Sequence, residues 1–405
     1  MNITKINVYL STLSFVLCII GYSLATTFFL PSSSDLESVS QSVTIPYRAF
    51  ALCVMLLVVS LNIKRSVFPI SLPLLVLILY WFFLIIRIFS DIYMRTDYFL
   101  TDTSQLWLYI FGICLAGLYS TIKSFDHINT EKAFYFVWAG VILMLTLTLF
   151  SNQALLTNTN NEYRVDANVA LNTISYGNYG VLGLLLSIYI LINKKVNKFW
   201  KIFAILSIIL CVYSVLRSGS RGPILAFLLV VLFWFFSKGK NLKTGLVILA
   251  LSFSVLYLLQ DFILSLMGEI SPVIEVRLRE SLEGGVDDGR SRLYDDAINI
   301  FLNHPLFGHQ FAIFDGQGGY AYAHNLILDS AMALGVLGAL AMIYIIFSAL
   351  KVCYKNIHYN KKYYWVSLIL LQQITILMVS GTFYQDQLLS VLLVFHFMAD
   401  KKTKI

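Results

Sequence analysis

The chain has 405 residues, of which 58% are hydrophobic and only 13% charged, with a formal net charge of +7 and a mean hydropathy of +0.77. Soluble domains are about a quarter charged, so this composition excludes an ordinary soluble fold and favours one membrane bundle over two or three domains. The positive charge does not indicate nucleic acid, because the basic residues sit in short loops between apolar runs and leave no basic surface domain over.

Apolar runs near the roughly 20-residue length that crosses a bilayer occur at 8–30, 46–63, 67–89, 105–121, 132–150 and 174–192. Others follow at 199–216, 223–237, 244–263, 326–350, 363–381 and 384–399. They predict an all-α polytopic membrane protein of about 12 transmembrane helices, a single transmembrane domain over residues 1–405. The first run is too long for a signal-peptide core and lacks a strong cleavage signal, so it reads as a retained helix. Cys18, Cys53, Cys114 and Cys211 lie inside apolar runs and Cys353 follows one, which indicates no disulfide framework.

Lysine and arginine set the orientation. With the N-terminus inside, every lysine and Arg65 fall on the cytoplasmic side, and both termini are cytoplasmic. Arg48, Arg87, Arg95, Arg164, Arg217, Arg221, Arg277, Arg279, Arg290 and Arg292 fall outside or near outer helix ends. The inside-positive rule explains the lysines but not an outer face furnished only with arginine. Arginine presents a planar fork of donors that grips phosphate or carboxylate at two points, so a fixed polyanionic ligand is one expectation. Pairing with acidic residues on the same side is the plainer one.

The longest hydrophilic stretch, 264–323, is a large external loop between the ninth and tenth spans. Loops this long in compact proteins are usually functional or disordered. This one carries an amphipathic segment at 272–282, a turn cluster at 284–289 and a second helical segment at 290–302. In that second segment Leu293, Ala297, Ile300 and Phe301 share a face, and Pro305 and Gly308 stop it. An irregular glycine-rich stretch, Asp315 to Gly319, leads on to the tenth span. The expectation is two interfacial helices folded over the bundle.

Three features could hold chemistry. Ser218-Gly219-Ser220-Arg221-Gly222 is a tight external turn whose small residues allow close backbone approach and whose amides and Arg221 suit an anion. Short Ser/Gly turns between helices are also common with no ligand. Arg290 and Tyr294 stand one helical turn apart on one face, while Arg292 points elsewhere. Such a pair serves phosphate binding or plain interfacial anchoring. His324, followed by Asn325, lies at the mouth of the tenth span, where a helix N-terminus keeps an imidazole neutral and basic. A lone histidine is often just a satisfied interface residue, and His304 and His309 lie close by, so spacing alone does not select the base. There is no HExxH motif or Cys/His cluster, so neither a protein-bound metal nor a cofactor is expected.

In this order the features resemble the O-antigen polymerase and O-antigen ligase superfamily of bacterial envelope enzymes. The matching residues are Ser218-Gly-Ser-Arg221-Gly, then Gly289-Arg290-x-x-x-Tyr294 leading to His304-Pro-Leu-Phe-Gly308, then His324-Asn325-x-x-Leu328 and Leu334-Gly335-Val336-Leu337-Gly338. The middle block has tyrosine where the family usually has tryptophan, so the aromatic character survives the change. The resemblance implies a metal-independent glycosyltransferase of the bacterial cytoplasmic (inner) membrane, with its active site on the periplasmic side. Its donor is a glycan on undecaprenyl pyrophosphate and its acceptor a sugar hydroxyl.

Carried over by position, His324 becomes the general base. Arg221, Arg290, Ser220 and Tyr294 bind the pyrophosphate, with Arg217, Asn325 and Arg164 in support. The implied partners are the lipid-linked donor, the glycan acceptor, membrane lipids and a chain-length regulator and flippase of the same pathway, and no nucleic acid. Polymerisation of lipid-linked repeat units is the first expectation, and ligation to lipid A-core is the alternative. A flippase-type transporter is the reading from another class. It is disfavoured because transporters carry ionisable groups in mid-helix, and these runs are almost free of them.

The orientation has a direct test. A cysteine at Gly285 is expected to react with an impermeant maleimide in intact spheroplasts; protection there, with labelling at Asn241→Cys, inverts the topology.

Overall fold

The computed structural model describes residues 3–29, 36–65, 70–95, 103–150, 156–159, 162–165, 171–239, 260–270, 272, 275–276, 278–279, 290–315, 319–359 and 361–402. Helices α1 (Ile3–Phe29), α2 (Leu36–Leu61), α3 (Leu72–Tyr93) and α4 (Thr103–His127) come first. α5 (Thr130–Phe150), α6 (Thr173–Asn193), α7 (Lys198–Arg217) and α8 (Arg221–Ser237) follow. α9 (Gln260–Ile270) and α10 (Arg290–Asn303) fall in the long loop region, and α11 (Leu326–His358), α12 (Tyr364–Leu377) and α13 (Gln387–Lys402) complete the chain. Among the described residues 8 helices are long and apolar enough to cross a membrane, α1 to α7 and α11, while α8, α12 and α13 are shorter apolar helices.

Together they fall on every expected run except 244–263, most of which lies outside the described residues, as does the turn cluster at 284–289. The protein is an all-α polytopic membrane protein. Two small antiparallel hairpins depart from the sequence reading: β1 (Leu156–Thr159) with β2 (Glu162–Val165), and β3 (Ile313–Phe314) with β4 (Tyr320–Ala321). The second closes the stretch expected to be irregular, because Gly319 N–H donates to Asp315 Oδ1 at 2.9 Å and Asp315 N–H to the Gly319 carbonyl at 3.2 Å. Aspartate bonding its own turn in this way does not depend on an alternating apolar pattern.

The outside of the bundle carries Phe82, Phe83, Ile205, Leu206, Ile209, Leu228 and Phe347 as exposed apolar side chains. Helices satisfy their own backbone, so such a surface suits hydrocarbon. Inside, with little hydrophobic drive between helices in lipid, contact depends on close fit. α6 presents Gly177, Gly180 and Gly183 to α7 and the turn after it. A methyl added at Gly180 would stand 3.2 Å from the Cys211 carbonyl oxygen, and one at Gly177 would stand 2.7 Å from both Ser218 Oγ and Pro223. The glycines therefore bring the 218–222 turn down onto α6.

The joint that shapes the opposite part of the molecule is a break in α11. Gly335 sits at φ 68°, ψ −157° in mid-helix, a conformation open to glycine and strained for other residues. The groups released there are taken by the turn at 305–309. Val336 N–H donates to the Pro305 carbonyl at 2.7 Å, and His309 N–H donates to the Met332 carbonyl at 2.8 Å. Gly308, at φ 66°, lies against the Ala333 backbone.

Arg87 clamps this joint from the end of α3, with Nε on the Ala333 carbonyl at 2.9 Å and its terminal nitrogens on the carbonyls of Phe307 at 2.8 Å, Gly308 at 3.4 Å and His309 at 3.1 Å. Arg95 adds a bond to the His309 carbonyl at 2.7 Å, and Asp91 Oδ2 accepts the Phe311 N–H at 2.8 Å. Two of the outer arginines are thus committed to protein backbone.

Gly335→Ala is expected to lower the amount of protein accumulating in membranes and its melting temperature, since its Cβ would collide with the Leu306 carbonyl. Arg87→Lys is expected to destabilise by about 1–3 kcal/mol, because one ammonium does not reproduce a fork that reaches four carbonyls. Leu337→Ala, on an exposed apolar position, serves as the control in both measurements.

Candidate functional site

Ala323-His324-Asn325 is pinned at three points before α11 begins. Asn325 is the N-cap: its Oδ1 accepts from the N–H groups of Ile327 at 3.0 Å and Leu328 at 3.2 Å, and its Nδ2 donates to the Met378 carbonyl at 3.4 Å. Asp329, in the first turn of α11, accepts the Ala323 N–H at 2.8 Å. Between them His324 is the non-glycine residue with positive φ, 55°, among the described residues. Left-handed backbone costs such a residue about 1–3 kcal/mol and persists only where the surroundings impose it.

The ring is fixed as firmly as the backbone. Gly381 N–H donates to His324 Nδ1 at 3.0 Å, and the Tyr322 ring meets the imidazole edge-on at 4.6 Å. A backbone N–H only donates, so Nδ1 is the accepting nitrogen and the neutral ring carries its proton on Nε2. The neighbouring histidines are differently placed. His309 lies under Arg95, with Nη2 3.3 Å from its Nδ1, and stacks on the exposed His304 at 3.9 Å. Both belong to the joint at Gly335.

Several of the segments that carry the expected residues pack together. The 218–222 turn lies against Gly177 of α6, and the nearest atom to a methyl built at Gly222 is Val379 Cγ2 at 4.0 Å. Val379 is in the same 378–381 segment that holds Asn325 and His324. From the other side α10 packs Tyr294, Ala297 and Ile300 onto Ala323, Leu328 and Met332, with Arg290 one turn before Tyr294. Ser220 is buried, and its hydroxyl turns back to the Ser218 carbonyl at 3.5 Å, so it shapes the turn. Arg217 ends α7 just before that turn. Arg164 pairs with Thr157 in the first hairpin, and its side chain lies outside the described residues.

The outer arginines separate into groups. Arg87 and Arg95 hold the joint. Arg279 pairs with Asp261 at 2.8 Å and Glu275 at 3.0 Å, which raises its already high pKa. Arg292 is 87% exposed and 4.0 Å from Asp296, pointing away as expected. Arg277 lies outside the described residues. Among the described residues, no cluster of three or more His, Cys, Asp or Glu side chains stands together as a cation site.

The sequence reading missed a polar cavity of about 440 Å³ behind Gly381, lined from α1, α2, α4, α6, α12 and the start of α13. Arg48, Asn178, Gln372, Asp386 and a set of tyrosines contribute to its walls, and Ser380, Gly381 and Tyr322 form its boundary with His324. Asp386 accepts from Gln373 Nε2 at 2.6 Å and from Leu389 N–H at 2.5 Å. The one signal available beforehand was the pair Gln372-Gln373, polar amides in the middle of an apolar run.

No curated protein matches the chain. Residues 206–343 match the family model described as O-antigen ligase, a segment that contains the 218–222 turn, α10, the 305–309 turn, His324 and the break at Gly335. The match spans about a third of the chain and covers the segment that carries the motifs, which is thus similar to the O-antigen ligase family.

Proposed function

We propose that this protein polymerises lipid-linked oligosaccharide repeat units, moving glycan from undecaprenyl pyrophosphate to a sugar hydroxyl at the outer face of the cytoplasmic membrane. The observation that carries the reading is His324, held in left-handed backbone at the boundary of a polar cavity, with its accepting nitrogen on Gly381 N–H. A hydroxyl arriving from the cavity replaces that N–H at Nδ1. As its oxygen bonds to the donor's anomeric carbon, the proton passes to Nδ1 and the ring becomes an imidazolium. The bond from the anomeric carbon to the phosphate oxygen breaks, and its electron pair leaves on the pyrophosphate.

Arg221 and Arg290 stabilise that developing charge by two-point contacts. Pyrophosphate is already a good leaving group, so charge stabilisation and one proton acceptor suffice, and no metal is assigned. Arg221 on the 218–222 turn, which packs toward the 378–381 segment, and Arg290 on α10, which packs onto Ala323, support placing the clamp there, with Arg217 at the end of α7 before the turn. Asn325 acts through position, since its amide caps α11 and ties it to Met378. A second reading, compatible with the O-antigen ligase description of the matched family model, is transfer of the glycan to lipid A-core.

The test is glycan length on gels from cells expressing each variant at matched protein level. His324→Ala and His324→Gln are expected to lose activity by about a hundredfold or more. A polymerase then leaves single repeat units on the lipid, whereas a ligase leaves bare lipid A-core with accumulated lipid-linked polymer. Arg221→Lys and Arg290→Lys are expected to lose most activity despite keeping the charge, and Arg292→Lys to retain it. Full-length polysaccharide from His324→Ala removes the catalytic assignment. Equal tolerance at all three arginines removes the clamp.

A further inference from the structure

The cavity behind Gly381 has its own chemistry. Its volume of about 440 Å³ falls in the range of about 300–1,000 Å³ usual for small-molecule sites. Four of its lining residues carry a polar atom that is buried without a hydrogen-bond partner: Ser23 at Oγ, Arg48 at Nε, Asn178 at Oδ1 and Gln372 at Oε1. The amide of Gln372 is oriented unambiguously, because its Nε2 donates to the Asn178 carbonyl at 2.7 Å, so Oε1 is the unused acceptor. Buried polar atoms in this condition are costly, and a ligand that supplies the missing bonds recovers that cost.

The backbone around the cavity is irregular in a matching way. Two helices in the described residues contain a π-helical turn, α1 at Leu17–Gly21 and α4 at Ile110–Leu115. Both border this cavity, through Leu17, Cys18 and Ile19 on one side and Ile113 on the other. The first turn's Leu17 carbonyl is taken by the Tyr47 hydroxyl at 2.9 Å. Such turns are rare and concentrate at functional sites.

The mixture of groups selects the ligand class. Pyrophosphate would meet one guanidinium but also the Asp386 carboxyl and two amide oxygens, which offer an anion nothing to accept from. A lipid tail would leave the polar atoms unpaired. Sugar hydroxyls both donate and accept, and the C–H face of a pyranose suits tyrosine rings, here Tyr22, Tyr47, Tyr109 and Tyr179.

We infer that this cavity is a saccharide subsite, which holds the acceptor sugar so that its hydroxyl reaches His324 Nδ1 past Gly381. The assignment to acceptor rests on the catalytic reading above, which places the donor pyrophosphate on the arginine side. The assignment to a saccharide rests on the cavity alone.

The test uses the purified full-length protein in lipid nanodiscs and reads the shift in melting temperature on titration. The probes are the repeat-unit oligosaccharide, released from the cell's own polysaccharide, and inorganic pyrophosphate. The oligosaccharide is expected to stabilise the wild type. Arg48→Met and Gln372→Leu are each expected to raise its half-saturating concentration by at least about tenfold. Asn178→Ala is the further variant where either fails to accumulate.

Arg221→Lys is expected to leave the oligosaccharide shift intact and to weaken that of pyrophosphate, with Gln372→Leu doing the reverse. Oligosaccharide binding unchanged in the cavity variants overturns the subsite, as does pyrophosphate binding lost in Arg48→Met. Loss of the oligosaccharide shift in His324→Ala alone, with the cavity variants normal, also overturns it. Because binding needs no turnover, a failed catalytic assignment for His324 leaves these results readable.

Discussion

The site depends on one backbone exchange, the insertion of the 305–309 turn into the break of α11 at Gly335. A helix interrupted inside a bundle leaves donors and acceptors that lipid does not satisfy, so the interruption exists only because another segment completes it. Pro305 and His309 do so, and Arg87 fastens the result to α3. The exchange lies less than three turns into α11 and therefore sets the height and direction of that helix's first residues. Those residues include Asp329 and the N-cap Asn325, which in turn hold His324 in the left-handed region. A histidine on a loop would otherwise be imprecisely placed; here its contacts and a strained backbone fix it.

A second constraint is the separation of charge. The same residue type does three different jobs at this end of the molecule. Arg87 and Arg95 complete backbone while flanking the Asp91 carboxylate, Arg279 and Arg292 face carboxylates alone among the described contacts, and Arg48 lies in a cavity with a cation–π contact to Tyr109 at 5.4 Å. Guanidinium serves each because its donors are rigidly arrayed and its charge is permanent. A transferase of the proposed kind needs its cations concentrated where the leaving group departs and groups that both donate and accept where the acceptor sits. The cavity, with Arg48 and Asp386 set among amides and tyrosines, offers the second kind of surface.

The helices were legible because a bilayer demands long apolar runs, and that demand leaves little room for ambiguity. The motif blocks were legible as blocks, while several of their roles were not. Gly308 and Gly335 stand in separate motifs yet are two halves of one joint, which only the fold brings together. Asn325, next to the histidine, acts as a helix cap, a role its position before Leu326 would have allowed. His304 and His309 could not be told from His324 by spacing, and the distinction came from Arg95 and Gly381. The cavity was invisible because its walls come from six helices spread along the chain, each contributing residues that look ordinary alone. π-Helical turns leave no mark in hydrophobic periodicity, and Gln372 reads as a lone polar residue until its amide is seen bonded to Asn178.

The central claim is that two chemically different surfaces meet at His324, one for pyrophosphate and one for sugar. Cryo-electron microscopy of the protein in nanodiscs, with an undecaprenyl pyrophosphate-linked repeat unit bound, tests it most directly. The account expects the pyrophosphate within hydrogen-bonding distance of Arg221 and Arg290, with the Arg48 cavity free of phosphate density. Pyrophosphate seated in that cavity against Arg48, with Arg221 and Arg290 out of reach, would contradict it.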